Sequence, residues 1–503
     1  MRRWPWYQWA FVALTVLYTT PAWVVRFVPT TDGPCHLYNA WILRHMADAA
    51  HYPAVSYFEI VRQPLPNWLT HLLLAGLMWL VPPLVAEKLL ISGYVLLLMG
   101  GLWYVAGAVD PDRRWLAFIG FLFVFSGPMQ GGFYNFCYSI GLFLIVVGYW
   151  WRRRDTFDLG AAVRLNLLLA LCYFAHLVST VAALVAIAVL WLATLRRANV
   201  KRRLLQVAAL SPQLVLPLWF LSAEGSASHP SSAALADLWA GFVHFNSFLG
   251  LAVQGPFAVA LEAIFALLLA IAIGSRGSAW WRRPRSSGSG ADLGFLLLAA
   301  AFTALYFVAP ESMAGGSGIK MRLAFYPWLV LIPWLPALRG AARAAGVAAL
   351  AAIALLNLGG VLRAYVQADS QLQRFLGGLD EVATDTVFVA LVFPRANGCA
   401  SPCYLAHASG YAATAKRLVD WDDYEAVTGI FPLRFREFAR HDTLLLEARP
   451  QQVEPRELST QVDYVYAWRA PLDAPSARLL RRDLTLVADR GDSQLFRSLR
   501  SRP

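Results

Sequence analysis

Long apolar runs, separated by short clusters of arginine, constrain this chain more than any other feature. Residues 89–109, 258–273 and 344–362 are 21, 16 and 19 residues long and nearly free of charge. That is about the length a helix needs to cross the roughly 30 Å hydrocarbon core of a bilayer. In lipid every backbone amide must be paired within its own segment or in a closed barrel, so such runs fold as transmembrane helices. The composition agrees: 58% of the 503 residues are hydrophobic and only 15% are charged, against about 25% charged in ordinary soluble domains. Tryptophan, present 20 times, favours the headgroup level of a membrane.

The net charge of +12 does not indicate nucleic acid. The basic excess sits in short loops, at Arg2 and Arg3, Arg152 to Arg154, Arg196 and Arg197 with Lys201 to Arg203, and Arg282, Arg283 and Arg285. Clusters of this kind mark the cytoplasmic ends of spans, whereas a nucleic-acid surface needs a contiguous basic face on a folded module. The N-terminal apolar stretch runs beyond a signal-peptide core and no small-residue cleavage site follows, so it reads as an uncleaved first span.

With the basic loops held inside, parity predicts about eleven spans. The first covers 6–28, and residues 29–66 form a long outer loop. Segment 67–81 is short for a span and is expected to lie along the interface. The remaining spans are 88–108, 115–127, 133–151, two short ones within 161–195, then 204–221, 256–274, 292–309, 323–338 and 344–362. On this threading 18 Lys and Arg residues occupy inner loops and six occupy the outer side, which fixes the orientation by the positive-inside rule.

Beyond Arg363 charges become dense. Short runs rich in β-branched and aromatic residues appear at 385–392, 462–468 and 484–488, with helical stretches at 369–379 and 474–482. The expected fold is thus an all-α polytopic membrane bundle over 1–363 with a small soluble α/β domain over 364–503. That domain lies on the extracytoplasmic side, where disulfides persist, so Cys399 and Cys403 read as a disulfide pair. A zinc pair is disfavoured, since only His407 is nearby. Packing explains Cys35, Cys137 and Cys172.

Several polar residues gather at the outer span ends. Asp32 and His36, in TTDGPCH, are four apart and would share one helix face, where a carboxylate and an imidazole can bind a hydroxyl, position a base or ligate a metal, although two ligands alone do not define a metal site. The competing reading makes Asp32 the N-cap, with Pro34 in the first turn. Gln130 and Asn135 lie in the glycine-rich outer turn GPMQGGFYN, which either lines a substrate cavity or serves as a tight turn. His176 sits at the turn between two short spans, as a functional ionisable group or a helix-to-helix hydrogen bond. Lys320 and Arg322, in GGSGIKMR, suit a phosphate arriving at membrane height or snorkel from a span end.

This layout resembles the GT-C superfamily of integral-membrane glycosyltransferases, which includes the protein O-mannosyltransferases, oligosaccharyltransferase catalytic subunits and the bacterial aminoarabinose transferase. The resemblance rests on Asp32 just after span one, the amphipathic segments near 36–50 and 67–81, and Asn135 in FYNFCYSIGLF. It rests also on the hairpin FAHLVS, on KMRLAFYPWLVLIPWLP and on a soluble outer C-terminal domain. It implies a catalytic carboxylate at Asp32, assisted by His36, with Asn135, Gln130, His176, Lys320 and Arg322 binding substrate. The implied donor is a lipid-phosphate-linked sugar, and the acceptor is a glycan, lipid or protein. The family often carries a second acid where this chain has Asn135, which counts against a divalent metal and leaves the cofactor unknown. The expected location is the inner (plasma) membrane of a bacterium, with the N-terminus cytoplasmic. The rival is a transporter, flippase or polysaccharide-export component, but transporters place their ionisable groups near the midplane, and here they collect at one face.

Overall fold

The structure, a computed structural model, describes residues 5–223, 228–229, 232–245, 248, 250–251, 254–280, 289–393, 403–441, 443, 446, 450–453, 455–470 and 480–498. Among these, five helices are long and apolar enough to cross a membrane: Pro83–Val109, Tyr134–Arg153, Arg197–Ala223, Gly255–Ser275 and Gly340–Gly377. Leu159–Ala175, Leu177–Ala193 and Leu293–Val308 are shorter apolar helices. The chain is an integral membrane protein. It divides into two compact units, one made of Met1–Pro21, Ile91–Met129 and Tyr134–Leu362, the other of Ala22–Leu90, Gln130–Phe133 and Arg363–Pro503. Residues 22–90 and the C-terminal region therefore belong to one compact unit, although they are some 300 residues apart in sequence.

In the first unit small residues set the helix spacing. A Cβ on Gly141 would lie 2.6 Å from Leu97 Cγ and 3.0 Å from the Leu97 carbonyl carbon, and one on Gly101 would lie 2.9 Å from the Gly141 carbonyl oxygen. Helices Pro83–Val109 and Tyr134–Arg153 thus meet backbone to backbone, the usual device where lipid supplies no hydrophobic drive between helices. The short segment after Asp110 solves its length problem by winding tightly. Pro111–Phe123 is a 3-10 helix of 13 residues, which at about 2.0 Å per residue reaches roughly 26 Å. Runs of that length are uncommon because their hydrogen bonds are poor. Here Trp115 through Phe123 are all buried, so the helix is held by protein on every side. Asp110 begins it, its carboxylate accepting from the Asp112 amide at 2.9 Å.

The apolar stretch 161–195 breaks at His176, whose extended backbone (φ −165°, ψ 132°) ends Leu159–Ala175 and opens Leu177–Ala193. The arginine-rich loops bond to one another. Asp112 pairs with Arg339 at 2.7 Å and Arg343 at 3.4 Å, and Asp155 pairs with Arg203 at 3.3 Å. Each contact joins two loops that parity assigns to the same side.

In the second unit a five-stranded mixed sheet carries the C-terminal part. Its order is Val419–Asp420, Val387–Val392, Tyr464–Trp468, Ser493–Arg497 and Thr485–Asp489, the first two pairings parallel and the last two antiparallel. Val387–Val392 and Tyr464–Trp468 are nearly all buried, in line with their apolar, β-branched sequence. The helical stretch expected at 369–379 is the end of the 38-residue helix Gly340–Gly377. Most of the one expected at 474–482 lies outside the described residues. Residues 29–81 supply helix Gly33–His45, helix Leu69–Leu77 and strand Phe58–Ile60, which pairs antiparallel with Leu433–Phe435. At nine residues, Leu69–Leu77 reaches only about 14 Å, too short to span. Helix Ser409–Lys416 packs on Gly33–His45 so tightly that a Cβ on Gly410 would lie 2.6 Å from the Pro34 carbonyl oxygen.

Candidate functional site

The second unit gathers its chemistry around the start of helix Gly33–His45. Asp32 occupies the N-cap position in αR conformation, and its side chain makes no capping hydrogen bond. Its backbone is pinned instead by the glycine-rich turn: the amides of Thr31 and Asp32 donate to the carbonyls of Gln130 and Gly131, each at 3.0 Å. Gly132 makes this approach sterically feasible. With φ +78° it adopts a conformation L-residues avoid, and a Cβ there would lie 2.4 Å from the Gly33 nitrogen. Gln130 is buried, its amide nitrogen donating to the Tyr365 hydroxyl at 3.1 Å.

Asp32 faces His407, with Oδ1 3.6 Å from Nε2. The His407 ring lies against Tyr424, centroids 4.8 Å apart, and Tyr424 is hydrogen-bonded to Asp32. Burial drives the imidazole of His407 down to about 4; the negative Glu425 opposes that shift and His36 reinforces it. His407 is thus neutral at pH 7. Burial and the Asp32 charge both push the Tyr424 phenol well above its ordinary range, so it stays a proton donor.

Behind Asp32 the motif Asp420-Trp-Asp-Asp-Tyr-Glu425 brings four acids into the interior, all at most 3% exposed. Asp423 accepts from Asn39 Nδ2 at 2.9 Å, while its Oδ2 has no hydrogen-bond partner among the described residues. Burial and the neighbouring Glu425 raise its carboxyl well above the usual range. Burial pushes Asp420 up to about 6, against hydrogen bonds from Ser409 and the Asp422 amide. Glu425 behaves oppositely. Burial alone would raise it, but the adjoining imidazoles of His36 and His71 outweigh that and hold it at about 2. His36 Nδ1 is 2.5 Å from Glu425 Oε1, His71 Nε2 is 2.8 Å from Oε2, and the two ring nitrogens are 3.3 Å apart. These three side chains are all buried and could hold a metal ion. Asp32 keeps 14% of its side chain exposed, in contrast to these sealed groups.

The remaining expected residues belong to the first unit. Asn135 is buried near the start of Tyr134–Arg153. The ring of Phe136 contacts His176 with centroids 5.4 Å apart, and the Arg322 guanidinium lies 5.7 Å from the same ring. His176 Nδ1 accepts from the Val178 amide at 3.2 Å and so caps the helix it opens. Arg322 donates to the Ser317 carbonyl. Lys320 is buried, its ammonium donating to the Tyr306 and Phe307 carbonyls at 2.9 and 3.0 Å, at the C-terminal end of Ser289–Val308. Asp32, His36 and Gln130 thus lie in one unit, and Asn135, His176, Lys320 and Arg322 in the other.

Sequence reasoning missed His71, His407, Asp423, Tyr424 and Glu425. The available signal was the run DWDDYE, whose acids alternate with aromatic residues immediately after a buried strand. An ordinary surface acidic run has no such aromatic company. Cys403 is disulfide-bonded, whereas Cys399 lies outside the described residues.

No family model matches the sequence, and no curated protein matches it. Among solved structures, ArnT from Cupriavidus metallidurans in the apo state is similar over 97% of this chain and 96% of its own, with a TM-score of 0.52 and 12% identity. The Archaeoglobus fulgidus oligosaccharyltransferase tethered with an acceptor peptide containing the NVT sequon is similar over 92% of this chain and 69% of its own, with a TM-score of 0.43 and 12% identity. The likeness to ArnT shows the fold: a polytopic membrane bundle with a small C-terminal domain, as the sequence layout led one to expect.

Proposed function

We propose that this chain is a membrane glycosyltransferase that moves a sugar from a polyprenyl-phosphate donor to an acceptor at the extracytoplasmic face, with Asp32 as the catalytic base. One observation carries the assignment. On a GT-C fold, the Asp32 carboxylate is not engaged in helix capping, retains solvent access and has a neutral imidazole and a protonated phenol beside it.

The chemistry follows from those neighbours. The acceptor hydroxyl attacks the anomeric carbon of the donor. The bond from that carbon to the phosphate oxygen breaks, and the polyprenyl phosphate leaves with the electron pair. Asp32 takes the hydroxyl proton as the new bond forms, the task of a positioned general base. Tyr424, uncharged at neutral pH, orients the carboxylate by donating to it, and the neutral His407 ring lies 3.6 Å from the same carboxylate, much as a buried partner orients a catalytic group elsewhere. For the donor phosphate we assign Arg322, whose guanidinium suits a phosphate by fork geometry and permanent charge. The orientation, with the N-terminus cytoplasmic, is supported by the positive-inside bias and by the ion pairs that join the arginine-rich loops.

The test is donor consumption by purified protein in nanodiscs, followed by mass spectrometry of the lipid, with a membrane extract supplying polyprenyl-phosphate sugars and acceptors. Wild type is expected to release free polyprenyl phosphate. Asp32→Asn, folded and expressed at wild-type level, is expected to release it at least about 100-fold more slowly, the usual worth of a general base. An Asp32→Asn variant of full activity overturns the assignment.

A further inference from the structure

We propose that His36, His71 and Glu425 form a binding site for one divalent transition-metal ion of the zinc type. The site is independent of the transferase reading, because it stands on the geometry of these three side chains alone.

Three observations converge. The first is ligand chemistry: two imidazoles and one carboxylate are a donor set that suits zinc and its neighbours, and their ligand atoms all lie within 4.8 Å of one another. A tetrahedral ion with bonds of about 2.0–2.1 Å holds its ligand atoms roughly 3.3 Å apart. The nitrogens of His36 and His71 are 3.3 Å apart, while their contacts to Glu425, at 2.5 and 2.8 Å, would open slightly around an ion.

The second is the aim of the His71 ring. His71 Nδ1 lies 3.0 Å from the Asn67 carbonyl oxygen, which can only accept, so that nitrogen donates and Nε2 is directed at the cluster. This is the outer bond that orients metal-binding histidines.

The third is the surroundings. His36, His71 and Glu425 are at most 3% exposed. The Phe431 ring flanks both imidazoles, with centroids 5.9 and 5.8 Å away. The three ligands come from helix Gly33–His45, helix Leu69–Leu77 and Glu425–Thr428 in the C-terminal region. An ion here would staple together the separate chain segments that frame Asp32.

The experiment uses the full-length protein in detergent. Metal content is measured by inductively coupled plasma mass spectrometry after gel filtration in metal-free buffer, and again after chelation and titration with zinc or cobalt. The expected result is close to one ion per chain in wild type, with the intense visible absorption of four-coordinate cobalt in the cobalt form. His71→Ala and Glu425→Gln should both lose the ion. If either variant fails to fold, the wild-type stoichiometry and the cobalt spectrum still decide, because a metal-free hydrogen-bonded cluster gives neither. Wild type that carries no ion and takes up neither metal overturns the proposal. So does a folded His71→Ala or Glu425→Gln that binds as much metal as wild type.

Discussion

Gly132→Ala isolates the contact on which the placement of Asp32 depends. A methyl group at that position would lie 2.4 Å from the Gly33 nitrogen, 2.7 Å from the Asp32 nitrogen and 3.0 Å from the Asp32 carbonyl carbon. All three are backbone atoms, which cannot rotate aside as a side chain would. Restoring an ordinary contact of 3.4 Å requires a displacement of about 1 Å between the 130–133 turn and the first residues of the helix. The positive φ of +78° adds about 1–2 kcal/mol for an L-residue, and the overpacking adds about 1–3 kcal/mol. A shift of this size at a catalytic group can cost on the order of 100-fold in rate. Donor consumption in nanodiscs and thermal unfolding in detergent are the assays, and Gly100→Ala is the control. A Cβ at Gly100 meets nothing within 4 Å, and alanine in a helix interior is preferred over glycine by roughly 0.5–1 kcal/mol. Gly132→Ala should therefore unfold at lower temperature and turn over about 100-fold more slowly, while Gly100→Ala keeps its rate. A Gly132→Ala variant with wild-type rate and stability would refute the close approach and, with it, the positioning of Asp32 by the turn.

Three further outcomes are expected. Asp420 sits at about 6 in the folded chain because of burial, and a carboxyl with a raised folded value favours folding only while protonated. Wild type should lose roughly 3 kcal/mol relative to Asp420→Asn as pH rises from about 4 to above 6, read from unfolding at stepped pH; parallel pH profiles would contradict this. Lys320→Met removes the donor to the Tyr306 and Phe307 carbonyls and should lower stability by about 1–3 kcal/mol, whereas Arg322→Ala should keep stability and weaken donor use. Cysteines placed at the exposed positions His51 and Arg339, 80% and 77% accessible as side chains, should react with an impermeant maleimide from opposite sides of the membrane, His51 from outside. Labelling of both from one side would undo the threading.

The membrane class was legible from run length and charge placement alone, because bilayer thickness and the positive-inside bias act on sequence directly. Asp32 stood out for the same reason, as a carboxylate where a span is expected to end. Its alternative role as an N-cap could not be settled from spacing; the side chain in fact makes no capping bond. The rest of the cluster was hidden by distance along the chain. His36 meets Glu425 across 389 positions and Asp32 meets His407 across 375, and no periodicity reports contacts of that range. The acidic run at 420–425 looked like a solvated loop because burial of four acids is costly, and only the tertiary partners Asn39, His36 and His71 make it tolerable. Likewise, the apolar stretch 115–127 is too short for an α-helical span, and nothing in its composition announced that its first nine residues belong to a 3-10 helix begun at Pro111.

The assignment of Asp32 as the base is tested most directly by an experimental structure of the protein in nanodiscs with a hydrolysis-resistant polyprenyl-phosphonate sugar. If Asp32 serves the transfer, the sugar will lie with its anomeric carbon turned toward the space in front of that carboxylate, leaving room there for one acceptor hydroxyl. A donor lodged with its sugar away from Asp32, and the carboxylate facing only protein, would contradict it.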